Sequence, residues 1–106
     1  MKIGVIISSN DAETSWNALR YANFCLVQKD EVKVFLTGKG VEYQKISNEK
    51  FNTVEQAEKF LQSGGKIFAC GTCIKSRNQA DSEMCPISTM KDMYEIIKES
   101  DKVVTF

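Results

Sequence analysis

The chain has 106 residues, enough for one domain around a single core and too few for two. Its 14 basic residues balance 14 acidic ones, so composition makes no case for nucleic acid or an anionic membrane as a partner. There is no histidine, which removes Ser-His-Asp and Cys-His pairings and every His-containing zinc site.

Lys2 to Ser8 reads as a mostly apolar, β-branched strand covered on both faces. A polar break, Ser8-Ser9-Asn10-Asp11, follows, with Asn10 or Asp11 placed to cap a helix over about 12–28. Ser15, Ala18, Leu19, Ala22, Cys25 and Leu26 share one face of that helix, which makes Cys25 a core residue. Phe24 and Val27 lie on the outward face beside Arg20, a hint of a subunit contact. Glu31 to Thr37 forms a second strand, closed by Gly38-Lys39-Gly40. That triplet is a turn, because the spacing of a phosphate loop is absent. Val41 to Asn52 carries no assignable pattern. Thr53-Val54-Glu55-Gln56 fits a capping box with Thr53 as the cap, and the helix behind it buries Val54, Ala57, Phe60 and Leu61 before Gly64-Gly65.

The next stretch is Lys66-Ile67-Phe68-Ala69-Cys70-Gly71-Thr72-Cys73, a short buried strand that ends in a Cys-x-x-Cys pair. Ile74-Lys75-Ser76-Arg77 continues with helical character. A cysteine at such a junction meets unpaired backbone N–H groups and the positive end of a helix dipole, which favour its thiolate. By that argument Cys70, the N-terminal member, takes the lower pKa. Lys75 and Arg77 add positive potential. Cys73 is one turn away and placed to resolve whatever Cys70 carries.

Arg77 to Ser82 is a polar connection. Met84-Cys85-Pro86-Ile87 is extended, since the residue before proline avoids the helical region, and Pro86 confines that strand to an edge or a bulge. Ser88 or Thr89 caps a last helix whose Met90, Met93, Tyr94 and Ile97 form a helical stripe, the usual mark of a core face. Lys102 to Phe106 closes the chain as a strand. Strands alternating with helices predict an α/β/α sandwich with about five mostly parallel strands, at 2–8, 31–37, 66–70, 84–87 and 102–106. Ligands bind such sheets at the strands' carboxyl ends. That edge gathers Ser9, Asn10, Thr37, Thr72 and Arg77 around Cys70 and Cys73 as candidates for substrate binding. Trp16 stands at the same edge, as a lid over the thiol or as an interface residue.

No apolar run approaches the ~20 residues of a membrane span, and no basic segment followed by an apolar one opens the chain. The expected compartment is the cytoplasm, where Cys25, Cys70, Cys73 and Cys85 stay reduced. Two thiols at the Cys70–Cys73 spacing favour reactivity over simple packing. Cys85 is read first as a buried residue and second as a third thiol near the pair. One Cys-x-x-Cys without a second pair is weak evidence for zinc, so no metal and no cofactor is assigned.

At this point the chain resembles the DsrE/DsrF-like sulfur-relay family, whose members include the TusD type. The resemblance runs through Asn17-Ala18-Leu19-Arg20, Glu31 to Leu36 with Gly38-Lys39-Gly40-Val41, Cys70 to Arg77, and Ser100 to Phe106. Asn78 stands where many relatives have glycine, and asparagine also tolerates a left-handed backbone. The resemblance implies that Cys70 carries sulfane sulfur as a persulfide, as a sulfurtransferase or a sulfur carrier. It also implies a homotrimer, a hexamer or a mixed assembly, with donor and acceptor proteins or small sulfane donors as partners. Two alternatives stay open: a thiol–disulfide redox protein using Cys70 and Cys73, and a metal-binding or structural subunit of an oligomer.

Overall fold

The computed structural model describes residues 1–106. In chain order the elements are β1 (Lys2–Ile7), α1 (Ala12–Val27), β2 (Glu31–Leu36), a 3-10 turn (Gly38–Glu42), α2 (Thr53–Gln62), β3 (Lys66–Cys70), α3 (Gly71–Ser76), β4 (Ile87–Ser88), α4 (Met90–Glu99) and β5 (Lys102–Thr105). The five strands form one parallel sheet in the order β4-β3-β2-β1-β5. No helix is long and apolar enough to cross a membrane.

Strand side chains alternate between two unequal halves of the core. Ile3, Val5 and Ile7 of β1, Val32, Val34 and Leu36 of β2, and Ile67 and Ala69 of β3 face α1 and α2 in a cluster of 18 buried residues. The opposite face carries only Ile6, Phe35, Cys70 and Ile96 as fully buried members, under α4. Helix α1 starts at Asp11, whose carboxylate accepts the Thr14 N–H at 3.0 Å, and it buries Ser15, Ala18, Leu19, Ala22 and Cys25 as its periodicity requires. Phe24 and Val27 are exposed. Segment 43–52, without a readable pattern, is held by side chains. The Tyr43 phenol donates to the Met84 carbonyl, and Thr53 donates to the Tyr43 carbonyl at 2.5 Å. Trp16 meets Phe51 edge-on at 5.3 Å, with Arg20 stacked over its ring, so it fastens this segment to α1.

Three local expectations are corrected. The cap of α2 is Asn52, whose side chain accepts the Glu55 N–H, while the Thr53 hydroxyl is drawn inward to Tyr43. The fourth strand is Ile87–Ser88 rather than 84–87. Cys85 exchanges both backbone hydrogen bonds with Ser82 in a tight antiparallel bridge, so pairing with β3 begins only at Pro86, whose carbonyl accepts from Ala69. That strand does lie at the sheet edge. The stripe on α4 is not core within this chain: Met90, Tyr94 and Ile97 are exposed, and Ile96 alone is fully buried. A periodic stripe reveals that one face is apolar; it does not reveal what covers it.

The turn after β2 depends on two glycines. Gly38 has φ +54°, a left-handed value. A Cβ at Gly40 would stand 2.0 Å from the Ile7 carbonyl oxygen, so the turn lies directly on the end of β1. Gly40→Ala should therefore cost about 3 kcal/mol or more, at or beyond the top of the overpacking range, because the obstacle is main chain. A lower urea midpoint at unchanged slope is the expected readout.

Candidate functional site

Cys70 is the last residue of β3 and the N-cap of α3. The β2–β3 register sets Leu36 beside Ala69, so the chain leaves both strands together and Thr37–Gly38 arrives opposite the cysteine pair. The Gly38 N–H donates to Cys73 Sγ at 3.2 Å, and the Thr37 hydroxyl also reaches that sulfur. The Cys70 thiol stands beside Cys73 and favours its anion.

These contacts split the two thiols. Burial and the contact with Cys73 push the Cys70 pKa up, outweighing the Cys73 and Thr72 backbone N–H groups that favour its anion. Burial also acts against the Cys73 thiolate, yet the contact with Cys70, donation from Gly38 and Thr37 and the Arg77 charge together pull its pKa down. The expected order is therefore reversed. For Cys70, burial and the contact with Cys73 outweigh the helix start; for Cys73, that same contact and the donors from the turn after β2 outweigh burial.

Arg77 binds Glu42 at 2.5 Å and donates to the Cys73 carbonyl at 3.1 Å. Arg77 and then Asn10 hold the Glu42 carboxyl below its ordinary range. Asn10 thus reaches the pair only through Glu42 and Arg77. Ser9 is committed elsewhere: its hydroxyl accepts the Asp11 N–H and its carbonyl accepts the Ser15 hydroxyl, at the start of α1. The site therefore unites Thr37, Cys70, Thr72, Cys73 and Arg77, and adds Gly38 and Glu42. Nothing local marks Glu42, which is 35 residues from Arg77 in sequence. Gly38 had one signal, its place at the carboxyl end of β2. Asn78 takes φ 51° just after α3.

Cys70 opens on a cavity of about 260 Å³ lined by Thr72, Lys75, Ile87, Ser88 and Met90 among others. Cys85 packs on the other side of the sheet, within the α1–α2 core, near the Val41 carbonyl and the Gln79 amide. Burial pushes its pKa up to about 11. No three His, Cys, Asp or Glu side chains converge as metal ligands would.

The model of the DsrE/DsrF-like family matches residues 1–106. Uncharacterized protein MK0008 of Methanopyrus kandleri is 35% identical over 89% of this chain and 83% of its own. Uncharacterized protein MJ0989 of Methanocaldococcus jannaschii is 33% identical over the full length of both. Among solved structures, YchN of E. coli superposes with a TM-score of 0.83 at 24% identity, covering both chains fully. BT1422 of Bacteroides thetaiotaomicron gives 0.78 at 20% identity, covering 99% of this chain and 94% of its own. At those identities the two structures speak for the fold.

Two pH predictions follow from the thiols. In alkylation followed by peptide mapping, Cys73 should react at lower pH than Cys70, and Thr37→Val or Cys70→Ala should move the Cys73 onset upward toward the ordinary thiol value of about 8.5. Cys85 ionises more readily in the unfolded chain, so its contribution to stability is complete below the unfolded pKa and is lost as pH rises toward about 11. The loss should be about 2–3 kcal/mol at most. Cys85→Ala should flatten that alkaline limb of the urea stability profile.

Proposed function

The chain belongs to the DsrE/DsrF-like family, and from that premise we propose that it is a sulfur-relay protein in which Cys70 accepts sulfane sulfur as a persulfide and passes it to another thiol. One observation carries the reading: the Cys70 thiol opens on a cavity and stands beside a Cys73 sulfur favoured as the anion. Within the pair Cys73 is the sulfur favoured as the anion and Cys70 the one favoured to keep its proton.

When a donor persulfide R–S–S–H enters, Cys73 takes the Cys70 proton, and Cys70 attacks the outer sulfur. A Cys70–sulfur bond forms, the donor S–S bond breaks, and R–S⁻ leaves with the proton held by Cys73. Sulfane sulfur moves without net oxidation. An acceptor thiolate then removes the outer sulfur by the same exchange. Lys75 and Thr72 border the cavity and are placed to orient an incoming anionic group. The donor or acceptor is a protein or a small sulfane compound, and the working form is a homotrimer or hexamer.

The nearness of the two sulfurs also favours a second outcome. Cys73 can attack the inner sulfur of the Cys70 persulfide, expelling HS⁻ and leaving a Cys70–Cys73 disulfide. Thiol–disulfide exchange alone would give that disulfide without prior sulfur uptake.

Intact-mass measurement after incubation with a sulfane donor separates these outcomes: gain of one sulfur supports relay, and loss of two hydrogens alone supports redox exchange. Cys70→Ser should abolish loading. Cys73→Ser should still load, slowed by about 100-fold at neutral pH through loss of the base, but with a longer-lived persulfide. Cys25→Ser and Cys85→Ser should load normally. Loading retained in Cys70→Ser and lost in Cys73→Ser would reverse the assignment.

A further inference from the structure

The cavity at Cys70 holds more chemistry than a nucleophile alone requires. Cys70 is 8% exposed and lines a recess of about 260 Å³, below the usual range for drug-sized ligands, so the recess fits a small molecule. Its walls carry one charged side chain, the Lys75 ammonium, and no carboxylate. The four ion pairs of the chain leave Lys75 out. Of the three hydroxyl residues in these walls, two are already engaged within the chain. Ser88 donates to the Pro86 carbonyl at 3.4 Å, and Thr89 donates to the Asp92 carboxylate at 3.0 Å. That same carboxylate accepts the Thr89 N–H at 2.8 Å, so Asp92 is spent on capping α4 and not on Lys75. The exposed Thr72 is the hydroxyl that remains. Ile87 and Met90 add an apolar, polarisable surface.

A cation and an uncommitted hydroxyl select an anionic group, and a soft apolar surface suits a sulfur atom. We infer that the donor taken up at this cavity is a small anion whose sulfane sulfur is bonded directly to an oxyanion group, thiosulfate being the simplest case, and that Lys75 is the residue that selects it. The inference rests on the relay role proposed above and names its donor.

The oxyanion group lies against Lys75 and Thr72, with the sulfane sulfur turned to Cys70. Cys73 takes the Cys70 proton as Cys70 attacks that sulfur. A Cys70–sulfur bond forms, the bond from sulfane sulfur to the oxyanion group breaks, and sulfite leaves with the electron pair. Cys70 is left as a persulfide anion and Cys73 as a thiol, so atoms and charge balance with no outside oxidant or reductant. The oxyanion group is charged before and after cleavage. Lys75 therefore grips donor and transition state alike, and its loss shows in half-saturation more than in the saturating rate.

The test measures sulfite release from thiosulfate beside loading from 2-hydroxyethyl persulfide, which presents sulfane sulfur on an uncharged carbon chain. Sulfite counts each transferred sulfur even where Cys73 later expels HS⁻. Wild type should release one sulfite per Cys70. Lys75→Gln should raise the half-saturating thiosulfate concentration about tenfold, as for loss of a charged hydrogen bond, and move the persulfide value far less. Lys75→Arg should restore the wild-type preference between donors, and Thr72→Val should raise the thiosulfate value about fivefold. Thiosulfate that releases no sulfite, while the persulfide still loads Cys70, overturns the donor assignment and leaves the relay reading standing. An equal rise for both donors in Lys75→Gln, or a rise for neither, overturns the selecting role of Lys75. If neither donor loads wild-type Cys70, the relay reading falls together with the inference.

Discussion

The parallel ladder between β2 and β3 sets Leu36 opposite Ala69, and the geometry around the thiols depends on that register. Both strands end at the same height, so the turn after β2 and the helix after β3 begin side by side. A slip of one residue would move Cys70 from the α4 face to the α1–α2 face and carry the Gly38 N–H away from Cys73. The left-handed Gly38 and the close approach of Gly40 to Ile7 hold the turn in the shape that aims that N–H at sulfur.

The anion at the pair is favoured mostly by neutral donors: a thiol, a hydroxyl and backbone N–H groups. Arg77 contributes charge, but its guanidinium is bound to Glu42 and to the Cys73 carbonyl. Short-range donors of this kind are little screened by salt, whereas a bare surface cation would be. Glu42 pairs with Arg77 and neutralises part of its field, so the Cys73 anion depends more on these short-range donors than on charge. The arrangement suits a relay, in which the site must take up and release sulfur through related steps.

The alternation of strands and helices, the buried face of α1 and the place of Cys70 at a strand end were all legible in the sequence, because each depends on local periodicity or on the strand-end rule. The pKa order was not. It depends on burial and on the contact between the two thiols, and then on Gly38 and Thr37, more than thirty residues from Cys73 in sequence and brought there only by the sheet. Glu42 was hidden for the same reason. Cys85 lay open between two readings until the alternation of faces set it across the sheet from Cys70. The α4 stripe misled because helical periodicity marks an apolar face without fixing whether the sheet covers it. Asn52 displaced Thr53 as a cap because a buried tyrosine carbonyl competed for the threonine hydroxyl.

The two-residue length of β4 has a consequence for the chain as it folds and stays folded in a crowded solution. Pairing reaches β3 only at Ala69 and Cys70, so Lys66, Ile67 and Phe68 present an outer margin of main chain without a strand beside it. Such a margin is a template on which a foreign strand can grow. Lys66 puts a charge at its start, and Pro86, which has no N–H, stands where an added strand would have to pair. Replacing either would remove a guard against fibrous self-assembly while leaving the thiols untouched.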